Sequence, residues 1–321
     1  MIIVPEAAIA DLMTREQAFD AIEAVFASMS KRSAYNFPVI REAIGHADAL
    51  YGFKSGFDRD SLALGLKSGG YWPGNAEKGL TNHQSTVFLF DADTGKCRAV
   101  VGGNLLTALR TAAASAVSIR HLAPQGAKVL GMIGAGHQSA FQMRAAVEQR
   151  GFEKIIGWNY HPEMLSRLAD TASELGLPFE EASLEQIGHD ADVIISITSS
   201  TEPSLMDAHV TGGTHIACMG TDTKGKQEVE ATLVARAKVF TDEVAQSVSI
   251  GECQHAIALG LITQNDIGEL GAVINGDAPG RTSDADLTLF DGTGVGLQDL
   301  AVASSVVEQA IAAGVAIEVD F

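Results

Sequence analysis

The sequence predicts an α/β protein in which a doubly wound parallel sheet is inserted into a second, α+β domain whose sheet is mostly antiparallel. Strand-like runs separated by short turns fill residues 49–101, which favours antiparallel neighbours. From residue 128 onward, short apolar runs alternate with helical segments, as is typical of a parallel sheet. A chain of 321 residues is long enough for two domains.

The first domain is predicted to begin with an amphipathic helix over residues 14–31, with Thr14 as its N-cap. An alanine-rich helix is expected over residues 105–121, and a C-terminal helix over 297–313 is expected to return to this domain. Between the first two helices lie four predicted strands, at residues 49–55, 62–68, 85–90 and 97–101.

The second domain is predicted to alternate strands with helices, beginning with helices at residues 140–150 and 162–174. Its five predicted strands are at residues 129–133, 154–159, 191–198, 215–220 and 237–242. We place the domain boundaries so that residues 1–118 and 300–321 form the first domain and residues 119–299 form the second.

A glycine-rich turn follows the first strand of the second domain and reads Gly134-x-Gly136-x-x-Ser139. Gly134 permits a tight turn, Gly136 lets the backbone approach a pyrophosphate, and Ser139 is small enough for close helix packing. The N-terminus of the following helix attracts the anion. The turn predicts a Rossmann-type dinucleotide site, although an ordinary α/β unit can also contain a glycine turn.

The residues after the second strand bear on which dinucleotide binds. A carboxylate at that position binds the ribose hydroxyls of NAD, whereas an arginine suits the 2′-phosphate of NADP. The sequence has Asn159-Tyr160-His161 there, with no arginine. We therefore favour NAD(H) over NADP(H), with the alternative that Asn159 caps the helix begun by Pro162.

Composition excludes several other classes of function. The net charge of −18 argues against nucleic acids and anionic membranes as partners. No apolar run is long enough for a membrane span, and the first residues do not resemble a signal peptide. The three cysteines are odd in number and lack metal-binding spacing, which favours a reduced, cytoplasmic protein without a metal site. Cys253 and His255 are interpreted as an ordinary helical pair.

Three charged residues in apolar or strand-end positions are candidates for chemistry. Burial of Lys67 on an apolar strand is costly unless it meets an anion. Arg110, among alanines, could hold a carboxylate, and Asp222 follows a strand end, where ligands of parallel sheets lie. The alternatives are a solvated lysine, a surface arginine and an Asx turn. His83 and Gln84 precede the strand at residues 87–90 and could line the same site.

These segments together resemble the ornithine cyclodeaminase/mu-crystallin family. The resemblance is carried by Leu66-Lys67 with Tyr71-Trp-Pro-Gly-Asn75, by residues 106–113, by Gly134-Ala-Gly-His-Gln138 and by residues 283–301. It implies a split first domain that builds a homodimer, with the nucleotide domain inserted between its parts. The family includes cyclodeaminases, alanine dehydrogenases, ketimine and iminosuccinate reductases, and a hormone-binding crystallin.

The resemblance also implies individual roles. Arg41, Lys67 and Arg110 would hold the α-carboxylate of a small imino or amino acid, and Asp222 would face its α-nitrogen. The residues that would contact the cofactor are Thr111, Ala135, His137, Gln138, Asn159 and Thr198. We add Gly134, Gly136, Gly220 and Gly294 to the predicted cofactor site.

Lys54 distinguishes this sequence from the cyclodeaminases, which tend to have Met-Pro at the aligned position. It alternates in phase with Gly52 and Gly56, so it points to one face of the sheet. A further ammonium near the pocket suits a second substrate carboxylate and disfavours ornithine, which is cationic.

The predicted function is therefore NAD(H)-dependent reduction of an α-imino acid to an L-amino acid, with iminosuccinate to L-aspartate as the first choice. The alternatives are reduction of a cyclic ketimine such as pyrroline-2-carboxylate, cyclodeamination of ornithine or lysine, and an alanine dehydrogenase activity. A crystallin-type binding protein without catalysis is the non-enzyme alternative. Lys67 and Asp222 both stand as candidate proton donors.

Overall fold

A computed structural model describes residues 1–321 and divides them into two compact units. Met1–Arg110 and Val295–Phe321 form one unit, here called the split unit, and Thr111–Gly294 form the other, here called the continuous unit. The predicted boundaries at 118/119 and 299/300 lie eight and five residues beyond these limits.

The split unit begins with short helices and a run of strands. Helix α1 covers Ile9–Leu12 and helix α2 covers Arg15–Ser30. Helix α2 begins with a capping box, in which the side chains of Thr14 and Gln17 each accept a hydrogen bond from the other residue's backbone nitrogen. The helix α3 (Asn104–Leu122) continues into the other unit. The strands are β1 (Ile2–Val4), β2 (Ala34–Asn36), β3 (Ile40–Ala43), β4 (Leu50–Asp58), β5 (Ala63–Tyr71), β6 (His83–Phe90) and β7 (Cys97–Gly102).

The continuous unit contains a fully parallel sheet of eight strands. In chain order its elements are β8 (Val129–Ile133), α4 (Ser139–Val147), β9 (Lys154–Trp158), α5 (Ser166–Glu174), β10 (Phe179–Glu181), α6 (Leu184–Asp190), β11 (Val193–Ser196), β12 (His215–Cys218), α7 (Ala231–Arg236), β13 (Lys238–Thr241), α8 (Val244–Ser247), α9 (Gln254–Ala258), β14 (Ile267–Glu269), α10 (Leu270–Ile274) and β15 (Thr288–Asp291). The strand order is β10-β9-β8-β11-β12-β15-β13-β14.

The chain then returns to the split unit through α11 (Gly296–Ala312) and β16 (Ile317–Glu318). The sheet of this unit has the order β16-β1-β7-β6-β5-β4-β2, with β3 also paired to β4. All its pairs are antiparallel except β1 with β7. The predicted fold class, a parallel doubly wound sheet with a mostly antiparallel second domain, is confirmed.

Glycines allow α11 to lie directly on the strands. A Cβ atom at Gly65 of β5 would lie 2.9 Å from Cδ2 of Leu300, and one at Gly296 would lie 2.6 Å from the backbone nitrogen of Ser55. Both distances are below van der Waals contact, so a side chain at either position would push the helix away. This close packing fixes where the polar residues of α11 lie.

The prediction differs from the structure in several local details. The predicted helix over residues 162–174 begins with a separate 3₁₀ turn at Pro162–Met164, and the helix predicted to end at residue 150 ends at Val147. Several strands of two to four residues were not predicted, since they are too short to show a period of their own; they are β1, β2, β3, β10, β14, β15 and β16. No helix combines the length and apolar character needed to cross a bilayer.

Candidate active site

Lys67 is buried in the split unit and meets an anion there. It lies on β5 with 6% of its surface exposed, and its Nζ is 2.9 Å from Oδ1 of Asp299 on α11. The same ammonium donates a hydrogen bond of 3.3 Å to Oγ1 of Thr107. Lys67 is therefore not the solvated lysine of the alternative interpretation.

Arg110 binds the same carboxylate oxygen. Its Nε lies 3.1 Å from Oδ1 of Asp299, and its Nη1 donates to Oε1 of Gln298 at 3.0 Å. Asp299 is completely buried, and its Oδ2 has no hydrogen-bond partner. Two cations from β5 and α3 are thus held by one carboxylate of α11, and Arg110 is not a surface residue.

Strand register places Arg41 and Lys54 on the same face of the sheet as Lys67. Lys54 of β4 lies directly opposite Lys67, and Arg41 of β3 lies opposite Gly52, two residues before Lys54. Directly opposed side chains share a face, and every second residue of a strand returns to it. Arg41, Lys54, Lys67 and Arg110 are called the cation cluster below.

His83 faces the cation cluster. It pairs with Tyr71, so it shares the face of Lys67 on the neighbouring strand. Burial, and after it the positive charges of Lys67, Arg110 and Arg41, lower the pKa of His83 to about 3. The imidazole is therefore neutral at physiological pH and can offer one donor and one acceptor to a ligand.

The predicted placement of Gln84 needs correction. Gln84 is the next residue of β6, so its side chain leaves the sheet on the opposite face from Lys67. Its Nε2 donates to the carbonyl oxygen of Thr81 at 2.8 Å, and its Oε1 accepts from Nδ2 of Asn104 at 3.2 Å. Gln84 therefore serves the loop and helix start beside β6.

Burial and charge set the protonation of the Lys67–Asp299 pair. Burial is the main cause that lowers the pKa of Lys67 to about 7; Asp299 opposes this change, and Arg110 and Lys54 add to it. Burial alone would raise the pKa of Asp299, but Lys67 and Arg110 outweigh it and hold that pKa below its ordinary value. Lys67 can thus lose or gain a proton near neutrality beside an ionised carboxylate.

The glycine-rich turn of the continuous unit has the backbone geometry that a dinucleotide requires. Gly134 has a φ of +106°, and a Cβ atom there would lie 2.6 Å from the carbonyl oxygen of Ile197. A Cβ atom at Gly136 would meet nothing within 4 Å, so this backbone is open to a ligand. Helix α4 begins at Ser139, directly after the turn.

A cavity of about 470 Å³ lies beside this turn. Oε1 of Gln138, in the turn itself, is buried without a hydrogen-bond partner. The open backbone, the helix start and this unused acceptor fit a dinucleotide. The cavity lining includes Gly134, Gly136, Trp158, Asn159, Tyr160 and Thr198.

Asn159 braces the turn. Its Oδ1 accepts from the backbone nitrogen of Ala135 at 2.8 Å, and its Nδ2 donates to the carbonyl oxygen of His161 at 2.8 Å. It therefore does not cap the 3₁₀ turn that begins at Pro162, which has no side-chain cap. Of the other predicted cofactor residues, Thr111 is buried on α3, and the His137 ring centroid lies 5.6 Å from that of Phe141.

Asp222 lies in the loop after β12, as predicted, and has a cationic neighbour. Its Oδ1 is 2.9 Å from Nζ of Lys226 and accepts from Oγ1 of Thr223 at 3.2 Å. Nζ of Lys226 also donates to the carbonyl oxygen of Gly220 at 3.1 Å. The carboxylate is therefore tied to its own loop and remains partly exposed.

Residues 3–314 match the sequence model of the ornithine cyclodeaminase/mu-crystallin family. This chain belongs to that family. The resemblance inferred from the sequence is thereby confirmed, and the match covers both units.

Three relatives illustrate the range of the family. The chain is 73% identical over 320 residues to an iminosuccinate reductase of Paracoccus denitrificans, with all of both chains covered. The crystal structure of that iminosuccinate reductase in complex with NAD⁺ has a TM-score of 0.96 to this chain, at 72% identity, over 100% of this chain and 99% of the other. The structure of a Thermococcus litoralis Δ1-pyrroline-2-carboxylate reductase with NADH and L-proline has a TM-score of 0.94 to this chain, at 25% identity, and the match covers 99% of this chain and 100% of the other. The structure of an archaeal alanine dehydrogenase dimer with bound NAD has a TM-score of 0.93, at 28% identity, and the match covers 100% of this chain and 99% of the other.

In this family member, a buried glutamate that the sequence did not reveal organises two predicted cofactor residues. Oε1 of Glu228 accepts from Oγ of Ser196 at 2.6 Å and from the backbone nitrogen of Thr198 at 2.7 Å. Its Oε2 accepts from the backbone nitrogen of Gly220 at 2.7 Å. A Cβ atom at Gly220 would lie 2.0 Å from the carbonyl oxygen of Thr198. One carboxylate thus ties together the chain beyond β11 and β12.

A second buried glutamate supports the first. Oε1 of Glu252 accepts from the backbone nitrogens of Glu228 and Val229, both at 2.9 Å. Burial, and after it the charge of Glu228, raises the pKa of Glu252 to about 8.

A buried aspartate binds the backbone at the predicted cofactor residue Gly294. The backbone nitrogen of Gly294 donates to Oδ2 of Asp242 at 2.9 Å, and Gly294 has a φ of +71°. Glycine thus suits position 294 on conformational grounds.

Proposed function

We propose that this protein is an NADH-dependent iminosuccinate reductase, which converts iminosuccinate to L-aspartate. The observation that carries this proposal is the cation cluster, in which Lys54 lies directly opposite Lys67 in the strand register. The full-length similarity to the Paracoccus denitrificans iminosuccinate reductase supports the same substrate.

The charge of the cluster suits a substrate with two carboxylates. Arg41, Lys54, Lys67 and Arg110 bring four cations to a region where one carboxylate, Asp299, contacts Lys67 and Arg110. Each substrate carboxylate adds one negative charge. Iminosuccinate therefore compensates the cluster better than a monocarboxylate imine does, and a cationic amino acid such as ornithine suits it least.

The reduction adds a hydride to Cα and a proton to the nitrogen of the imine. Reduced nicotinamide supplies the hydride when bound. Arg41, Lys67 and Arg110 hold the α-carboxylate, which fixes the position of Cα, and Lys54 with neutral His83 binds the second carboxylate. Lys67 donates the proton, since its pKa of about 7 allows transfer near neutrality. Asp222 is the alternative donor.

An assay of NADH oxidation by the purified protein tests this function. We expect the highest kcat/KM with oxaloacetate and ammonia, which form iminosuccinate, and lower values with pyruvate and ammonia, glyoxylate and ammonia, or pyrroline-2-carboxylate. A higher kcat/KM with pyrroline-2-carboxylate would favour the cyclic ketimine reductase instead. If no imine supports NADH oxidation, the protein is not an imine reductase.

We also propose that NADH is preferred over NADPH, and Tyr160 offers a test. Tyr160 lies at the lining of the cavity, is 79% exposed, and occupies a segment without arginine. Tyr160→Arg should raise the NADPH/NADH ratio of kcat/KM about tenfold or more, because one charge-assisted hydrogen bond contributes about 1.5–3 kcal/mol. Tyr160→Phe is the matched control and should leave the ratio unchanged. An unchanged ratio in Tyr160→Arg would contradict the proposal that the 2′-hydroxyl of the adenosine ribose of NADH binds beside Tyr160.

A homodimer would cover the outer face of the split-unit sheet. The outer face is the face of the sheet opposite Lys67. On it, a row of directly paired residues crosses four strands and consists of Tyr35, Phe57, Leu64 and Phe90. Tyr35, Ile40 and Phe53 of this face are 39%, 53% and 37% exposed, which is costly for large apolar side chains in water. Light scattering should give twice the chain mass of 33.6 kDa; a monomer would contradict the proposal.

The unpaired cysteines support a reducing compartment such as the cytoplasm.

A further inference from the structure

We infer that Asp299 is a positioning residue that keeps the Lys67 ammonium in place and charged, ready to donate the proton of the reduction. The inference rests on the proposed function, because it assigns Asp299 a part in that reaction. Asp299 contacts Lys67 and Arg110 and is not assigned any contact with the substrate.

The geometry gives Asp299 a fixed position. It is completely buried on α11, and α11 is held against β5 by the contact at Gly65. Its Oδ1 binds Nζ of Lys67 at 2.9 Å and Nε of Arg110 at 3.1 Å. A flexible lysine side chain is therefore anchored to a rigid helix at the atom that carries the proton.

The charge of Asp299 acts against that of its surroundings. Burial favours the neutral form of Lys67, and so do the charges of Arg110 and Lys54. The carboxylate of Asp299 favours the ammonium, and it does so before any substrate carboxylate has bound. Without it, Lys67 would lose its proton at lower pH and the free enzyme would hold less of the acid that the reaction needs.

The one proton that each turnover consumes comes from Lys67, and solvent replaces it. The N–H bond of the Lys67 ammonium breaks as a new N–H bond forms on the product nitrogen, while the reduced nicotinamide gives its hydride to Cα. Lys67 is then a neutral amine beside a carboxylate. It regains a proton from solvent, and Asp299 stabilises the ammonium that results.

The pH dependence of kcat/KM, which reports the free enzyme, tests the inference. In the wild type we expect kcat/KM to fall above pH about 7 as Lys67 loses its proton. Asp299→Asn should move this limb to lower pH by about one to three units, the effect of removing an opposite charge at this distance. Thr107→Val is the matched control, because it removes a neutral hydrogen bond from the same ammonium and keeps the carboxylate, so its limb should move much less than that of Asp299→Asn. An unmoved limb in Asp299→Asn overturns the inference.

Two further measurements cover other outcomes. Asp299→Glu keeps the charge but changes its reach, so it should keep the limb and lower kcat; a wild-type kcat would show that Asp299 does not position Lys67. NMR titration of ¹³Cε-labelled lysine, with the Lys67 signal assigned from Lys67→Ala, reads the charge without turnover. A lower Lys67 pKa in Asp299→Asn supports the inference, even if the wild type reduces no imine and the proposed function fails. An unchanged pKa overturns it.

Discussion

Replacement of Lys67 by alanine is expected to lower kcat by about 10²–10⁴-fold, the usual contribution of a positioned general acid. NADH binding should persist, because the predicted cofactor residues lie in the continuous unit and Lys67 lies in the split unit. Stopped-flow turnover and a fluorescence titration with NADH measure the two quantities.

The substitution should leave the protein folded. Asp299 keeps its ion pair with Arg110 when the Lys67 ammonium is lost. Lys96→Ala, at an exposed turn of the same unit, is the control and should match the wild type in both measurements. Wild-type kcat in Lys67→Ala would exclude Lys67 as the proton donor and favour Asp222.

Lys54→Met is expected to change substrate preference more than overall activity. The loss of one charge-assisted hydrogen bond should raise the activation free energy that corresponds to kcat/KM by about 1–3 kcal/mol more for iminosuccinate than for a monocarboxylate imine. This corresponds to about a 5- to 150-fold change in the ratio. The measurement compares oxaloacetate plus ammonia with pyruvate plus ammonia.

The comparison of two substrates removes a side effect of the substitution. Lys54 also lowers the pKa of Lys67, but that change acts on both substrates equally. Lys54→Arg keeps the charge and should retain most of the preference for the dicarboxylate. Equal losses for the two substrates in Lys54→Met would remove the reason for proposing iminosuccinate.

Features that depend on neighbouring residues could be predicted from the sequence. The Thr14 cap of α2 and the turn at Gly134 arise from residues within a few positions of one another, and both are found in the structure. Alternation along its strand could place Lys54 on one face of the sheet, but the position of Arg41 beside Lys67 followed only from the family resemblance, because β3 was not predicted.

The partners of these cations could not be predicted in the same way. Asp299 is 232 residues from Lys67 and 189 from Arg110, and nothing local in the sequence links them. The one available signal was Gln298-Asp299, a polar pair flanked by Leu297 and Leu300 in the apolar first half of the helix. The role of Glu228 could not be predicted either, since its donors at Ser196, Thr198 and Gly220 come from the ends of two different strands that meet only in the folded sheet. The predicted position of Gln84 was wrong because β6 begins at His83, two residues before the predicted strand, and alternation within β6 turns Gln84 away from the face of His83.

The return of α11 to the split unit has a consequence for biosynthesis. As the chain leaves the ribosome, strand β5 with Lys67 and helix α3 with Arg110 emerge long before α11 and its carboxylate, because even Arg110 is 189 positions from Asp299 in the sequence. The continuous unit can fold as soon as its own segment has emerged, since it is uninterrupted in sequence. The antiparallel sheet of the split unit can complete its packing only after α11 has emerged, so this half should reach its native structure last, as its contacts between residues distant in sequence imply.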